Sequence, residues 1–353
     1  MPRGIAQRFS VEGMKEGENS SVDFHTLKAD SPTADQRTLI LQTILYIVDV
    51  YLPPVIIPVG VFGNILSWLL MSQPHYRHST NSLYMRFLAF SDSLYLLTRA
   101  TQRWLLVIIP ELLTAPAVHK HFCRQYLFFE SFCQMVSSEL LVVMTADRLI
   151  AIMFPLKSKL WLTMFRARLC LLGIILVSLT IHLPAFWRIN HPKFSTWLCP
   201  FHFPYDVLFQ TITTIINPYI PICLLFVFNT AIIATVKRTS SKRDKMSGKK
   251  LKGEKENDNN ITRTLLVVSF TYLICLLPFK AQIIIFTEWK PTHDKVFWKL
   301  VDRLTLDLTI TFEFCNYALN SYLYLLVSER FRKELKGLIC GRPPSKLAKT
   351  SVS

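Results

Sequence analysis

The chain lacks the short spacings that carry enzyme chemistry. It has no glycine-rich loop for a nucleotide phosphate, no His/Cys cluster for a metal and no nucleophile elbow. It also lacks an internal repeat, paired broken helices at mid-membrane and a ring of pore-lining charges, the marks of transporters and channels. His182 is the only histidine well inside an apolar stretch, where a lone imidazole usually packs. These absences argue against an enzyme and also against a transporter or channel, the main rival class. The first 43 residues have no apolar core ahead of a small-residue cleavage site. No removable signal peptide is therefore expected, and the first apolar stretch must itself direct insertion.

What is present is apolar sequence. Of 353 residues, 51% are hydrophobic and mean hydropathy is +0.30, too greasy for a soluble domain. A spanning helix needs about 20 mostly apolar residues, and such stretches recur near 44–72, 80–109, 119–153, 165–187, 207–237, 260–287 and 297–326. The expected fold is an all-α membrane protein, a seven-helix bundle between a 1–43 tail and a 327–353 cytoplasmic segment. Spans two and seven are the least apolar, carrying Arg86, Asp92, Arg99 and Arg103, then Asp302, Arg303, Asp307 and Glu313.

The formal charge of +16 is concentrated at Lys157–Arg168, Lys237–Lys255 and Arg330–Lys349. By the positive-inside rule these stretches are cytoplasmic, which sets the N-terminus outside and the C-terminus inside. The basic charge then needs no nucleic acid. Asn19-Ser20-Ser21 is a glycosylation sequon on the exterior tail, whereas Asn260-Ile261-Thr262 falls inside and should stay bare. Cys123 opens span three and Cys199 sits in the second exterior loop, on the oxidising side where a bridge persists. Thr239–Asn259 is expected as a solvated loop. Ser328–Ile339 places Phe331, Leu335 and Leu338 on one helical face, so it should lie on the inner membrane surface, with Cys340 beside it for palmitoylation.

Charges inside a bilayer are costly and are usually paired or functional. At about 1.5 Å per residue, Glu130 lies roughly 10 Å inward from Cys123 and Arg148 nearly 40 Å from it. Lys280, two residues past Pro278, is positioned to meet Glu130, either as a packing ion pair or in a ligand site. Arg99 and Arg103 share one face of span two by their i, i+4 spacing, and either snorkel outward or line the same cavity. With Gln134 and Glu313 these are the candidate ligand-binding residues. Glu139 reads as a packing residue.

In chain order the short motifs resemble the rhodopsin-like G protein-coupled receptor family. Gly63-Asn64 is similar to the GN pair of span one, and Leu88-Ala89-Phe90-Ser91-Asp92 to LAxxD. Asp147-Arg148-Leu149 through Pro155-Leu156 resembles DRYxAIxxPL, Cys275–Pro278 resembles CWxP, and Asn316–Tyr324 resembles NSxxNPxxY. The resemblance implies a G protein partner, with arrestin as a further one, and a place in the plasma membrane. It implies that Arg148 is held by Asp147 at rest, meets the G protein when released, and has Asp258 as an acidic partner on span six. It also implies an allosteric sodium ion on Asp92, Ser137, Asn316 and Asn320, with a water-filled polar network as the alternative, and no other cofactor.

Several positions depart from the family pattern. Leu149 replaces the DRY tyrosine, Leu276 the CWxP tryptophan, and Ser321 the proline of the last motif. A switch would then run through Tyr272, Leu276, Pro278, Asn320 and Tyr324 rather than a rotating tryptophan. The segments FPLKSKLW and LNSYLYLLVSERFRKEL resemble invertebrate receptors for FMRFamide-like neuropeptides. The exterior loop Arg188–Asp206, with Trp197, Phe201, His202, Phe203 and Tyr205, suits peptide capture or an interfacial aromatic belt. A peptide is the expected ligand. A small anionic or chemosensory ligand and a receptor that has lost signalling are the alternatives.

Overall fold

A computed structural model describes residues 32–74, 79–109, 116–183, 215–244, 252–288 and 295–340. Helices account for nearly all of them: α1 (Pro32–Tyr51), α2 (Pro53–Met71), α3 (Thr80–Tyr95), α4 (Thr101–Ile108), α5 (Pro116–Met153), α6 (Pro155–Trp161), α7 (Met164–His182), α8 (Ile220–Asp244), α9 (Lys252–Glu288), α10 (Lys295–Val327) and α11 (Glu329–Ile339). Span one is α1 with α2, and span two is α3 with α4, joined by the π turn Leu96–Ala100. Spans three to seven are α5, α7, α8, α9 and α10. Segments 36–71, 164–182, 220–238 and 262–282 are long and apolar enough to cross a membrane, with mean hydropathies of 2.0, 1.9, 2.0 and 1.8.

The bundle is inverted relative to a soluble protein. Phe62, Ile65, Leu172, Phe226, Val227 and Ile274 are exposed, while Asp92, Arg99, Asp307, Glu313 and Asn316 are buried. An outward apolar surface is what lipid requires, because polar groups find partners only inside the bundle. Helix α10 packs against α9, α2 and α1, α2 packs against α3, and α5 contacts α3, α7 and α8, which closes a ring around α5. Two apolar clusters fill it. One holds Leu88, Leu140, Met144, Leu225, Val268, Tyr272, Leu276 and Tyr324. The other holds Tyr95, Leu96, Cys133, Phe279, Ile310, Phe314 and Tyr317, with Tyr95 stacked on Tyr317 at a centroid separation of 3.8 Å.

Local sequence accounts for the irregular points. Asn217 precedes Pro218, whose ring excludes the helical region for its neighbour; Asn217 sits at φ −127°, ψ 98°, and its Nδ2 donates to Ser131 O at 3.2 Å. Ser328 caps α11, its Oγ accepting from Phe331 N. Arg332 Nη1 donates to Leu325 O and Leu326 O at 2.9 and 2.8 Å, satisfying the last carbonyls of α10. Phe331 is buried against Tyr324.

One expected element differs. The stretch 239–259 was expected to be a loop, yet α8 continues to Asp244 and α9 begins at Lys252. Lys, Arg and Glu are good helix formers, and a helix beyond the bilayer needs no apolar face.

Candidate functional site

The site is a buried polar column that runs the length of α10. Counting 1.5 Å per residue, Asp307, Glu313 and Asn320 stand at successive depths separated by roughly 9 and 10 Å. Each level takes its partners from different spans.

At the outer level Arg103 of α4 pairs with Asp307 Oδ1, and Arg303 Nε pairs with Asp307 Oδ2 at 2.7 Å. Arg303 Nη2 reaches Asp49 Oδ2 of α1 at 3.6 Å. Two carboxylates and two guanidiniums thus tie spans one, two and seven together without net charge. Trp104 Nε1 donates to Val50 O at 3.1 Å beside them. A void of about 10 Å³ adjoins Asp49, Arg103, Asp307 and Thr311, about the space of a single water centre.

The middle level holds the sequence-predicted ligand residues. Arg99 Nε lies 3.1 Å from Glu130 Oε1, and Gln134 Nε2 donates to Glu313 Oε1 at 2.6 Å. Glu313 is fully buried and its Oε2 has no hydrogen-bond partner. The expected meeting of Lys280 with Glu130 is not observed. Glu130 is paired with Arg99, and the Lys280 ammonium stands 4.7 Å over the Phe279 ring. Arg99, within the π turn of residues 96–100, pairs with Glu130 of span three, whereas Arg103, beyond that turn, pairs with Asp307 of span seven.

The inner level is centred on Asp92, which is fully buried. Ser137 Oγ donates to its Oδ1 and Asn320 Nδ2 to its Oδ2, both at 2.7 Å. Asn316, one turn above Asn320, is buried and its Oδ1 has no hydrogen-bond partner. Beside this level Asn64 Nδ2 donates to Tyr317 O at 3.0 Å, and Ser67 Oγ to Ser321 Oγ at 2.7 Å. Tyr272 and Leu276 are completely buried in the adjoining apolar cluster, and Pro278 lies within α9 just above them. Tyr324 is buried.

Asp147 and Arg148 lie half-buried near the close of α5. Pro155 begins α6, the position where a missing N–H costs nothing, and Leu156 on that helix is 88% exposed. Cys340 follows α11 and is exposed. Asn19, Cys199 and the aromatic loop lie outside the described residues, as do the side chains of Cys123 and Asp258.

Sequence reasoning missed the outer tetrad. Asp49 was not singled out, and Arg303 and Asp307 counted only against the apolarity of span seven. The signal was available: charges of both signs, balanced in number, at similar depth on three spans.

Comparison with known proteins gives the following likenesses. Residues 63–324 match the family described as 7 transmembrane receptor (rhodopsin family). The chain is 24% identical to type-1 angiotensin II receptor B of Xenopus laevis, across 97% of this chain and 91% of that one. It is 24% identical to the FMRFamide receptor of Drosophila melanogaster, across 78% of this chain and 50% of that one. Somatostatin receptor type 2 of Mus musculus is 24% identical, across 81% and 75% respectively.

Proposed function

Since the chain belongs to the rhodopsin family of seven-transmembrane receptors, we propose that it is activated by an extracellular peptide and in turn activates a heterotrimeric G protein. The family is one of receptors, not enzymes. The observation that carries the peptide reading is that its relatives are named for angiotensin II, FMRFamide and somatostatin, all of them peptides. The chain then lies in the plasma membrane with its N-terminus outside, as the basic stretches at the other face require. The middle level is the ligand floor. Because Arg99 and Arg103 are already held by carboxylates, Lys280 and Glu313 remain to read the charge of an incoming ligand. Cys123 and Cys199 bridge the exterior loop to α5, Asn19 carries glycan and Cys340 an acyl chain. Arrestin meets the same cytoplasmic face. A neuropeptide library, read by calcium and cyclic-nucleotide reporters in cells expressing the chain, tests this reading. A specific nanomolar-to-micromolar peptide response is expected, and activation by small carboxylates alone would replace it.

Arg148, at the cytoplasmic end of α5, is the residue that meets the G protein. Asp258 holds it at rest across to span six. Asp258→Ala should therefore raise basal signalling several-fold at equal surface expression. Unchanged basal activity would remove Asp258 from the resting lock.

A sodium ion is our reading of the inner level, supported by oxygen donors of the hard kind it takes: the buried Asp92 carboxylate, the Ser137 hydroxyl bonded to it, and Asn316, whose Oδ1 has no hydrogen-bond partner. Such an ion would compensate the Asp92 charge in place. Replacing choline chloride by sodium chloride at equal ionic strength should raise the melting temperature of the purified chain, and Asp92→Asn should abolish that rise. Equal melting temperatures in both salts would leave a water network instead.

A further inference from the structure

A proline at position 321 would remove a backbone N–H and bend span seven. This chain has Ser321, and α10 runs unbroken from Lys295 to Val327. The hydroxyl does not merely fill the vacated space. Ser67 Oγ donates to Ser321 Oγ at 2.7 Å, and Ser321 Oγ reaches Asn64 Oδ1 at 3.4 Å, with all three residues buried.

The fastening extends one turn to either side. Asn64 Nδ2 donates to Tyr317 O at 3.0 Å and Tyr322 OH to Val59 O at 2.8 Å. Gly60 and Gly63 let the two helices approach so closely that a Cβ on either would stand under 3 Å from α10. The residue next to Ser321 is Asn320, whose amide holds Asp92 at 2.7 Å. Span six contributes Leu265, Val268, Tyr272 and Leu276 to the apolar cluster that also holds Leu140 and Met144 of α5, with a 3.3 Å hydroxyl contact between Thr145 and Ser269.

We propose that Ser321 and Ser67 are positioning residues that fasten span seven to span one. Helix α10 is thereby a fixed strut against α2 that keeps Asn320 on Asp92. Buried hydroxyl pairs make such a clasp two-state, because separating them leaves both oxygens unsatisfied in an apolar surround. Once one hydroxyl is gone, the second adds little.

The test needs neither ligand nor G protein, so failure of the receptor reading leaves it decidable. Trifluoromethyl labels are placed on Leu326→Cys, exposed at the inner end of α10, or on Arg263→Cys, exposed at the inner end of α9. The background carries Cys223→Ser and Cys340→Ser, and fluorine spectra are recorded in lipid nanodiscs. In the parent chain the 326 label should give one resonance. Ser321→Ala and Ser67→Ala should each add a second at 326, on the order of 10% of the signal, the scale of a minor state. The double variant should add no more than the larger single, and the 263 spectrum should be unchanged in all of them. Should Ser321→Ala fail to fold, Ser67→Ala, on the other helix, carries the same expectation. A 326 resonance already split in the parent, one untouched by both alanines, or additive effects would overturn the proposal.

Discussion

Glu130→Ala should lower the stability of the folded receptor by about 3–5 kcal/mol, the scale measured when one partner of a buried ion pair is deleted. The Arg99 side chain is 5% exposed and Glu130 Oε1 lies 3.1 Å from its Nε. Without that carboxylate the nearly fully buried guanidinium loses the ion-pair partner that Glu130 supplies, and arginine does not lose its proton to escape. Arg99→Ala in the same chain should restore most of the loss, since the double variant leaves neither charge behind. Thermal unfolding of the purified chain measures both. If the double variant is no more stable than Glu130→Ala, the pair does not carry the energy assigned to it.

Gly60→Ala should cost about 1–3 kcal/mol by overpacking. An added Cβ would stand 2.6 Å from Leu96 Cδ1, 2.7 Å from Ala318 Cβ and 2.9 Å from Ala318 Cα, so two helix backbones would have to separate. Gly173 in α7 is the matched control: a Cβ there meets nothing within 4 Å. Gly173→Ala should be neutral or gain up to about 1 kcal/mol of helix propensity. Equal effects at the two glycines would mean that backbone freedom, rather than the approach of α2 to α10, sets the cost at Gly60.

The bundle was legible because hydropathy and charge placement are one-dimensional signals. Apolar length marked the spans and the short motifs marked the family, and neither needs a contact map. Spans two and seven looked weakest for the reason that makes them central. Arg99, Arg103, Asp307 and Glu313 depress hydropathy, yet each has a partner from another span, and all but the partly buried Arg103 are fully buried. Pairing across helices depends on rotation about each helix axis, and the π turn at residues 96–100 shifts that rotation in the middle of span two. No periodicity argument anticipates an extra residue per turn, so the different partners of Arg99 and Arg103 were not legible. The expected partner of Glu130 failed, because Arg99 stands there in place of Lys280. The Asp92, Ser137 and Asn320 grouping was reachable only through resemblance, and the hydrogen bonds at 2.7 Å give it a geometric basis. Ser321 was noticed as a departure, but its partner Ser67 could not be named until α2 and α10 were seen to touch.

The central claim is that this chain transmits an external peptide signal to a G protein through Arg148. Its most direct test is peptide-dependent loading of a non-hydrolysable guanine nucleotide onto purified heterotrimeric G proteins, with the chain and its Arg148→Ala variant at matched density in lipid nanodiscs. Loading should rise with peptide for the parent chain and stay at background for the variant. No peptide-dependent loading on any G protein class, or equal loading by both chains, would contradict it.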